Sequence, residues 1–229
     1  MTDRDENQRE TARAALFDVD GTLVDTNHLH VTAWWEAFRQ AGHRVDMHDI
    51  HRSVGLGGDD LIAHLLGEDR DRDADASISA AHKTLYGTYF ERLPAFESAG
   101  ELLRTLAGRG RRIVLATSAG GAELGALRRA IDADDVIAGT ASADDVDAGK
   151  PAPDPVEQAL ELAEVPAERA VFVGDTVWDM QAAARAGVVP VGLLCGGIPE
   201  EALRDAGARA LFRDPADLLR RLDESPFAD

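Results

Sequence analysis

Between residues 94 and 222 the chain alternates between short apolar runs and helical stretches. The runs fall at 112–116 ("RIVLA"), 136–138, 170–173 ("AVFV"), 189–194 and 210–212. Each is too short for a helix and is bounded by turn residues, so each reads as a buried strand. Helical patterns occupy 100–109, 123–130, 155–163, 177–186, 200–206 and 215–222. An earlier apolar run, 14–19, closes on Asp-Gly and predicts a first strand. Strict alternation of this kind predicts a parallel sheet with right-handed crossovers. Ligands of such sheets bind at the carboxyl ends of the strands.

The strand ends are where the polar chemistry lies. The first run ends in Asp18-Val19-Asp20-Gly21-Thr22, the second in Thr117-Ser118, and a later one in Gly174-Asp175-Thr176, with Asp179 four residues past Asp175. "GKPAPDP" places Lys150 just before a helix. A parallel sheet gathers all of these on one rim. Like charges resist joint ionisation, so the gathered carboxylates need a cation. Oxygen ligands in this number suit Mg²⁺, which binds through a few carboxylates plus substrate phosphate. Such a metal, with Lys150, neutralises Asp18 and Asp175 and leaves Asp20 free to carry a proton. Taken singly, Asp-x-Asp-Gly reads as a turn and Gly-Asp before a helix as a cap. The ordered set is what carries the functional reading.

The stretch 26–92 is different. Val31, Trp34, Trp35, Phe38 and Ala41 recur at helical spacing with Gly42 as a stop, 59–66 and 76–90 also read as helices, and no strand is predicted. All seven histidines lie there. The polar residues 1–12 are expected to be a disordered tail. The formal net charge of −18 argues against nucleic-acid and anionic-membrane partners, and no apolar run is long enough to span a bilayer. The single cysteine, Cys195, and the polar N-terminus without an apolar signal segment fit a cytoplasmic protein.

The set "DVDGT", "ATS", "GKP" and "GDTVWD" resembles the four ordered motifs of the haloacid dehalogenase-like hydrolase superfamily. "LVDTNHLHVTAW" and "GLGGDDLIAHLLG" are similar to the branch that holds phosphoglycolate phosphatases and β-phosphoglucomutase. The resemblance implies an α/β fold: a Rossmann-like doubly wound core, residues 13–25 and 93–229, with a small all-helical cap, residues 26–92, inserted after the first strand. It implies Asp18 as the nucleophile and Asp20 as the acid and base. It also implies Mg²⁺ held by Asp18, the backbone carbonyl of Asp20 and Asp175 with support from Asp179, and phosphoryl oxygens held by Thr117, Ser118 and Lys150. His30 then lies near the cap hinge as a substrate contact.

The activity implied is Mg²⁺-dependent hydrolysis of a small phosphorylated metabolite through an aspartyl phosphate, by a monomer or weak homodimer. A sugar phosphomutase is the alternative. Against it, the chain reads Gly57-Gly58 near where the mutase carries a cap arginine. A 2-haloacid dehalogenase lacks an acid at the position of Asp20, and a non-catalytic binding module would be expected to have lost a catalytic residue. Lys83 reads as an exposed helix lysine. Because the core is poor in positive charge, Arg52 is expected to enter the cleft beside Gly55, Gly57 and Gly58, whose lack of a side chain lets the backbone approach a ligand.

Overall fold

The computed structural model describes residues 13–142 and 148–228, so the expected tail at 1–12 lies outside the described residues. Six strands form one sheet: β1 (Arg13–Phe17), β2 (Arg111–Ala116), β3 (Ile137–Ala141), β4 (Ala170–Gly174), β5 (Val189–Leu193) and β6 (Ala210–Phe212). All five pairings are parallel, in the order β3-β2-β1-β4-β5-β6. The chain runs outward from β1 in one direction and then restarts at β4 on the other side. That reversal between β1 and β4 is the switch point at which doubly wound sheets leave a crevice.

The sheet is covered on both faces, which is why its strands read as unbroken apolar runs. Alternate residues enter different cores. Ala15, Phe17, Ile113, Leu115, Val171 and Val173 pack on one side. Ala14, Leu16, Val114, Ala116, Ala170 and Phe172 pack on the other.

Ten α-helices are formed: α1 (Asn27–Gln40), α2 (Met47–Ser53), α3 (Gly58–Leu66), α4 (Asp75–Gly87), α5 (Ala99–Gly108), α6 (Gly121–Ile131), α7 (Asp154–Ala163), α8 (Val177–Arg185), α9 (Glu200–Asp205) and α10 (Pro215–Arg220), counted among the described residues. Helices α1 to α4 follow β1 and build a hydrophobic cluster of their own around Trp34, Phe38, Ile50, Leu61, Ile62 and Ile78. Gly42 ends α1 at φ +83°, as its stop position predicts.

Two elements differ from the sequence expectation. Helix α2 is not foreseen, because only Ile50 and Ser53 of its seven residues are buried and it shows no apolar stripe. Strand β3 runs to Ala141 rather than ending at 138, because the pairing of Val114 to Ala116 with Gly139 to Ala141 extends it through residues of low strand preference.

Candidate active site

The backbone leaves β1 at Asp18 but stays tied to the sheet, where the Asp18 amide donates to the Val173 carbonyl at 2.9 Å. The Asp18 carboxylate is thereby set beside the end of β4. The Lys150 ammonium donates to it at 2.5 Å and also lies 2.8 Å from Asp179. Asp18, Asp175 and Asp179 are all buried, and each offers a carboxylate oxygen within 4.8 Å of the others.

Local capping explains how Asp175 comes to be available. The N-cap of α8 is Thr176, not Asp175. The Asp179 amide donates to Thr176 Oγ1 and the Thr176 amide donates to Asp179 Oδ2, a reciprocal capping box. Asp175 is instead oriented by Thr22 Oγ1 and Asn27 Nδ2, each donating at 2.8 Å. Gly21 (φ +77°) and Gly196 crowd the same carboxylate, and a Cβ at either would collide with it.

The electrostatics of this cluster are unbalanced. Burial, reinforced by Asp18 and Asp179, pushes Asp175 well above the usual carboxylate range. Burial also raises Asp18 to about 7, against the pull of Lys150. Lys150 is held charged by Asp179 and Asp18 in spite of its burial. Three buried carboxylates against one lysine match the donor set and charge of a divalent cation, so the residues present fit Mg²⁺.

Asp20 points the other way. Its Oδ1 accepts from Thr26 Oγ1 at 2.6 Å and lies 3.2 Å from His30 Nε2. Burial works to raise Asp20, but the hydrogen bond and charge of His30, with Thr26, outweigh it and hold its carboxyl below the ordinary range. The same contact keeps His30 above the ordinary histidine value although burial opposes it. His30 Nδ1 lies 3.1 Å from His82 Nε2, and His82 stacks on Trp34 with ring centroids 3.9 Å apart. Glu123, in the first turn of α6, comes within 3.7 Å of His30 Nε2.

These groups line a cavity of about 90 Å³ between the strand ends and the inserted helices, with Asp18, Asp20, Ser118 and Glu123 on the core side and Trp34, Gly55, Gly58, Ser79, His82 and Lys83 opposite. A second cavity adjoins it, lined by Thr117, Ser118, Gly149 and Lys150 together with Gly57, Gly58, Asp59, Asp60, Ser79 and Lys83. Thr117 is buried, and its hydroxyl accepts from the Ala119 amide, which shapes the loop after β2.

The structure thus brings together Asp18, Asp20, Asp175, Asp179, Lys150, Thr117, Ser118 and His30, with Gly55, Gly57 and Gly58 at the margin. It does not bring Arg52 there. Arg52 is exposed and lines a separate surface cavity with His43, Asp49 and His64, while its carbonyl accepts from Trp178 Nε1 at 3.2 Å. The cause is the helix α2, whose buried side carries Ile50 and Ser53 and turns Arg52 outward. Gly55 is likewise explained by protein contact, since a Cβ there would meet Thr176 Oγ1 at 2.9 Å. The lysine that the inserted helices bring to the rim of the cavity is Lys83, which is exposed on its helix as the sequence reading expects.

Asn27, His82 and Glu123 are also missed by sequence reasoning. Glu123 has a legible signal: it follows Thr117-Ser118 in the first turn of the next helix, at the carboxyl edge of the sheet. His82 has a weaker one, four residues before the buried Tyr86.

Comparison with known proteins agrees with this geometry. A phosphoglycolate phosphatase from Rhodospirillum rubrum is 30% identical over 90% of this chain and 89% of its own. The crystal structure of a hydrolase from Pseudomonas syringae superposes with a TM-score of 0.88 at 34% identity, covering 93% of this chain and 98% of that one. CbbY from Rhodobacter sphaeroides, solved in complex with phosphate, superposes with a TM-score of 0.74 at 29% identity over 91% and 96% of the two chains. No helix among the described residues is long and apolar enough to cross a membrane. The profile of the haloacid dehalogenase-like hydrolases matches residues 12–187, and the chain belongs to that family of hydrolases, with phosphoglycolate phosphatases among its relatives.

Proposed function

We propose that the protein hydrolyses a small phosphate monoester through an aspartyl phosphate on Asp18, with Mg²⁺ held by Asp18, Asp175 and the backbone carbonyl of Asp20. The observation that carries this reading is the division of labour between the two strand-end carboxylates. Asp18 faces Lys150 and the acidic cluster, whereas Asp20, two residues on, faces Thr26 and His30. One is placed to attack and the other to move a proton.

Asp18 forms a bond to phosphorus as the bond from phosphorus to the leaving oxygen breaks. Asp20 gives that oxygen its proton. Water then attacks the phosphorus of the aspartyl phosphate, Asp20 takes the water's proton, and Asp18 is regenerated with release of phosphate. His30 Nε2, 3.2 Å from Asp20 Oδ1, is within reach to pass Asp20 the proton the leaving alcohol needs. Lys150, Thr117 and Ser118 bind the phosphoryl oxygens as charge develops on them. A bound Mg²⁺ supplies further charge stabilisation there. Asp179, locked in its capping box, supports the metal site and positions Lys150. Residues 26–92 act as a cap over a core formed by 13–25 and 93–229.

A phosphatase is preferred over a mutase. A mutase must hold a second phosphoryl group against the cap, and the wall that residues 26–92 supply carries Asp59 and Asp60 against Lys83.

The test is a panel of phosphate esters with release of inorganic phosphate as the readout. Turnover with Mg²⁺ that is abolished by EDTA and restored by excess Mg²⁺ is the expected result. Conversion of β-glucose 1-phosphate to glucose 6-phosphate at a rate above phosphate release would establish the mutase instead.

A further inference from the structure

A glutamate in the first turn of a helix ordinarily faces water, where the helix N-terminus favours its charge. Glu123 holds that position in α6 but lines the cavity, with its side chain only 18% exposed. Among the described residues it accepts no hydrogen bond, and its ion-pair contact with His30 is long. His30 Nε2 lies 3.7 Å away, beyond hydrogen-bonding distance, and that nitrogen is already engaged by Asp20 at 3.2 Å. Glu123 therefore keeps acceptor capacity on the wall of the cavity that Asp18 and Asp20 also line.

The other walls of that space complement it. Lys83 is near enough to bear on the charge of Glu123, yet is drawn into no ion pair among the described residues. Ser79 adds a hydroxyl, and the stacked rings of Trp34 and His82 add a flat wall. An acceptor, two donors and an aromatic wall match the hydroxyls and C–H faces of a polyol. They match a lone carboxylate poorly. Glu123 is half-buried and, although burial raises its carboxyl to about 7, its ionised form repels a carboxylate at close range, whereas Lys83 is solvent-exposed and its attraction is screened.

We propose that Glu123 is the residue that selects the leaving group: it accepts hydrogen bonds from the hydroxyls of a small polyol phosphate and disfavours esters whose leaving group carries a carboxylate. This rests on the phosphatase reading above and narrows its substrate class.

The experiment compares glycerol 3-phosphate with 2-phosphoglycolate, using the full-length protein with Mg²⁺. The wild type should favour glycerol 3-phosphate in kcat/KM by at least about tenfold, and Glu123→Gln should reduce that preference at least about tenfold. A wild type that prefers 2-phosphoglycolate overturns the proposal. So does a Glu123→Gln variant that loses equal activity on both esters, because Glu123 would then be acting on Asp20 through His30. Calorimetric binding of the two esters to Asp18→Asn gives a ranking independent of turnover. Tighter binding of glycerol 3-phosphate supports the assignment, and equal or reversed affinity, or binding of neither, refutes it. Failure of the wild type to release phosphate from any ester sinks the phosphatase reading alone, since the binding order still judges Glu123.

Discussion

Asp18, Asp175 and Asp179 are held by strand ends and by the first turn of a core helix, whereas Asp20, His30, His82 and Glu123 are drawn from a strand end, two inserted helices and a core helix. The first cluster carries three buried carboxylates against one lysine and could hold a metal ion. The second places a histidine between two carboxylates, 3.2 Å from Asp20 and 3.7 Å from Glu123. On the proposed mechanism, one wall of the cleft organises charge and the other moves protons and selects what enters. The difference follows from architecture: a parallel sheet fixes its strand ends in register, while the facing helices are free to vary what they project.

Four experiments would break or sharpen this contrast. The largest effect is expected on the charge-organising wall. Asp18→Asn should keep the fold, read as an unchanged circular dichroism spectrum, and lose at least about 10³-fold in kcat. Near-normal turnover would remove Asp18 from the reaction.

The proton-organising wall should instead respond to the leaving group. Asp20→Asn should lose about 10²- to 10⁴-fold on an alkyl phosphate, the range for a general acid, and distinctly less on p-nitrophenyl phosphate, whose leaving group departs without a proton. Equal losses on the two esters would erase the distinction between the walls.

A smaller effect concerns stability. Burial, with the nearby charges of His30 and Lys83, holds His82 neutral down to about 2 rather than 6.5. Above pH 6.5 the group is neutral in both folded and unfolded chains and contributes no pH dependence. As pH falls below 6.5 the unfolded chain binds a proton that the folded chain refuses, so stability is lost, by about 2 kcal/mol at pH 5. His82→Gln should flatten the fall in Tm between pH 7 and 5; an unaltered slope would mean His82 is not its source.

The smallest effect is expected at Arg52. Arg52→Ala should change kcat/KM by less than about twofold, since the side chain lies on a separate surface cavity. A large rise in KM would bring Arg52 back into the cleft and make Lys83 redundant.

How much of this was legible beforehand follows the same division. The parallel sheet and its gathering of Asp18, Thr117, Lys150 and Asp175 could be read directly, because strand period and crossover chirality allow few other arrangements. Asp179 could be read as a neighbour of Asp175, though its capping box with Thr176 could not. Helix α2 escaped because it buries too little to leave a pattern. Its absence from the reading is also why Arg52 was expected in the cleft, since a loop residue can point anywhere and a helical one cannot.

By itself, the sequence determined the order of the strands and of the helices that alternate with them, the identity of the strand-end carboxylates and lysine, and the family to which the chain belongs. These follow from local period and from residues adjacent to predicted strand ends. The tertiary structure alone decided that Lys83 rather than Arg52 reaches the cavity, that Asn27 orients Asp175, and that His30 sits between Asp20, His82 and Glu123. Those contacts join residues up to 148 positions apart through the packing of inserted helices on the core. Helix spacing says which side chains share a face, but only the docking angle of that face says what it meets.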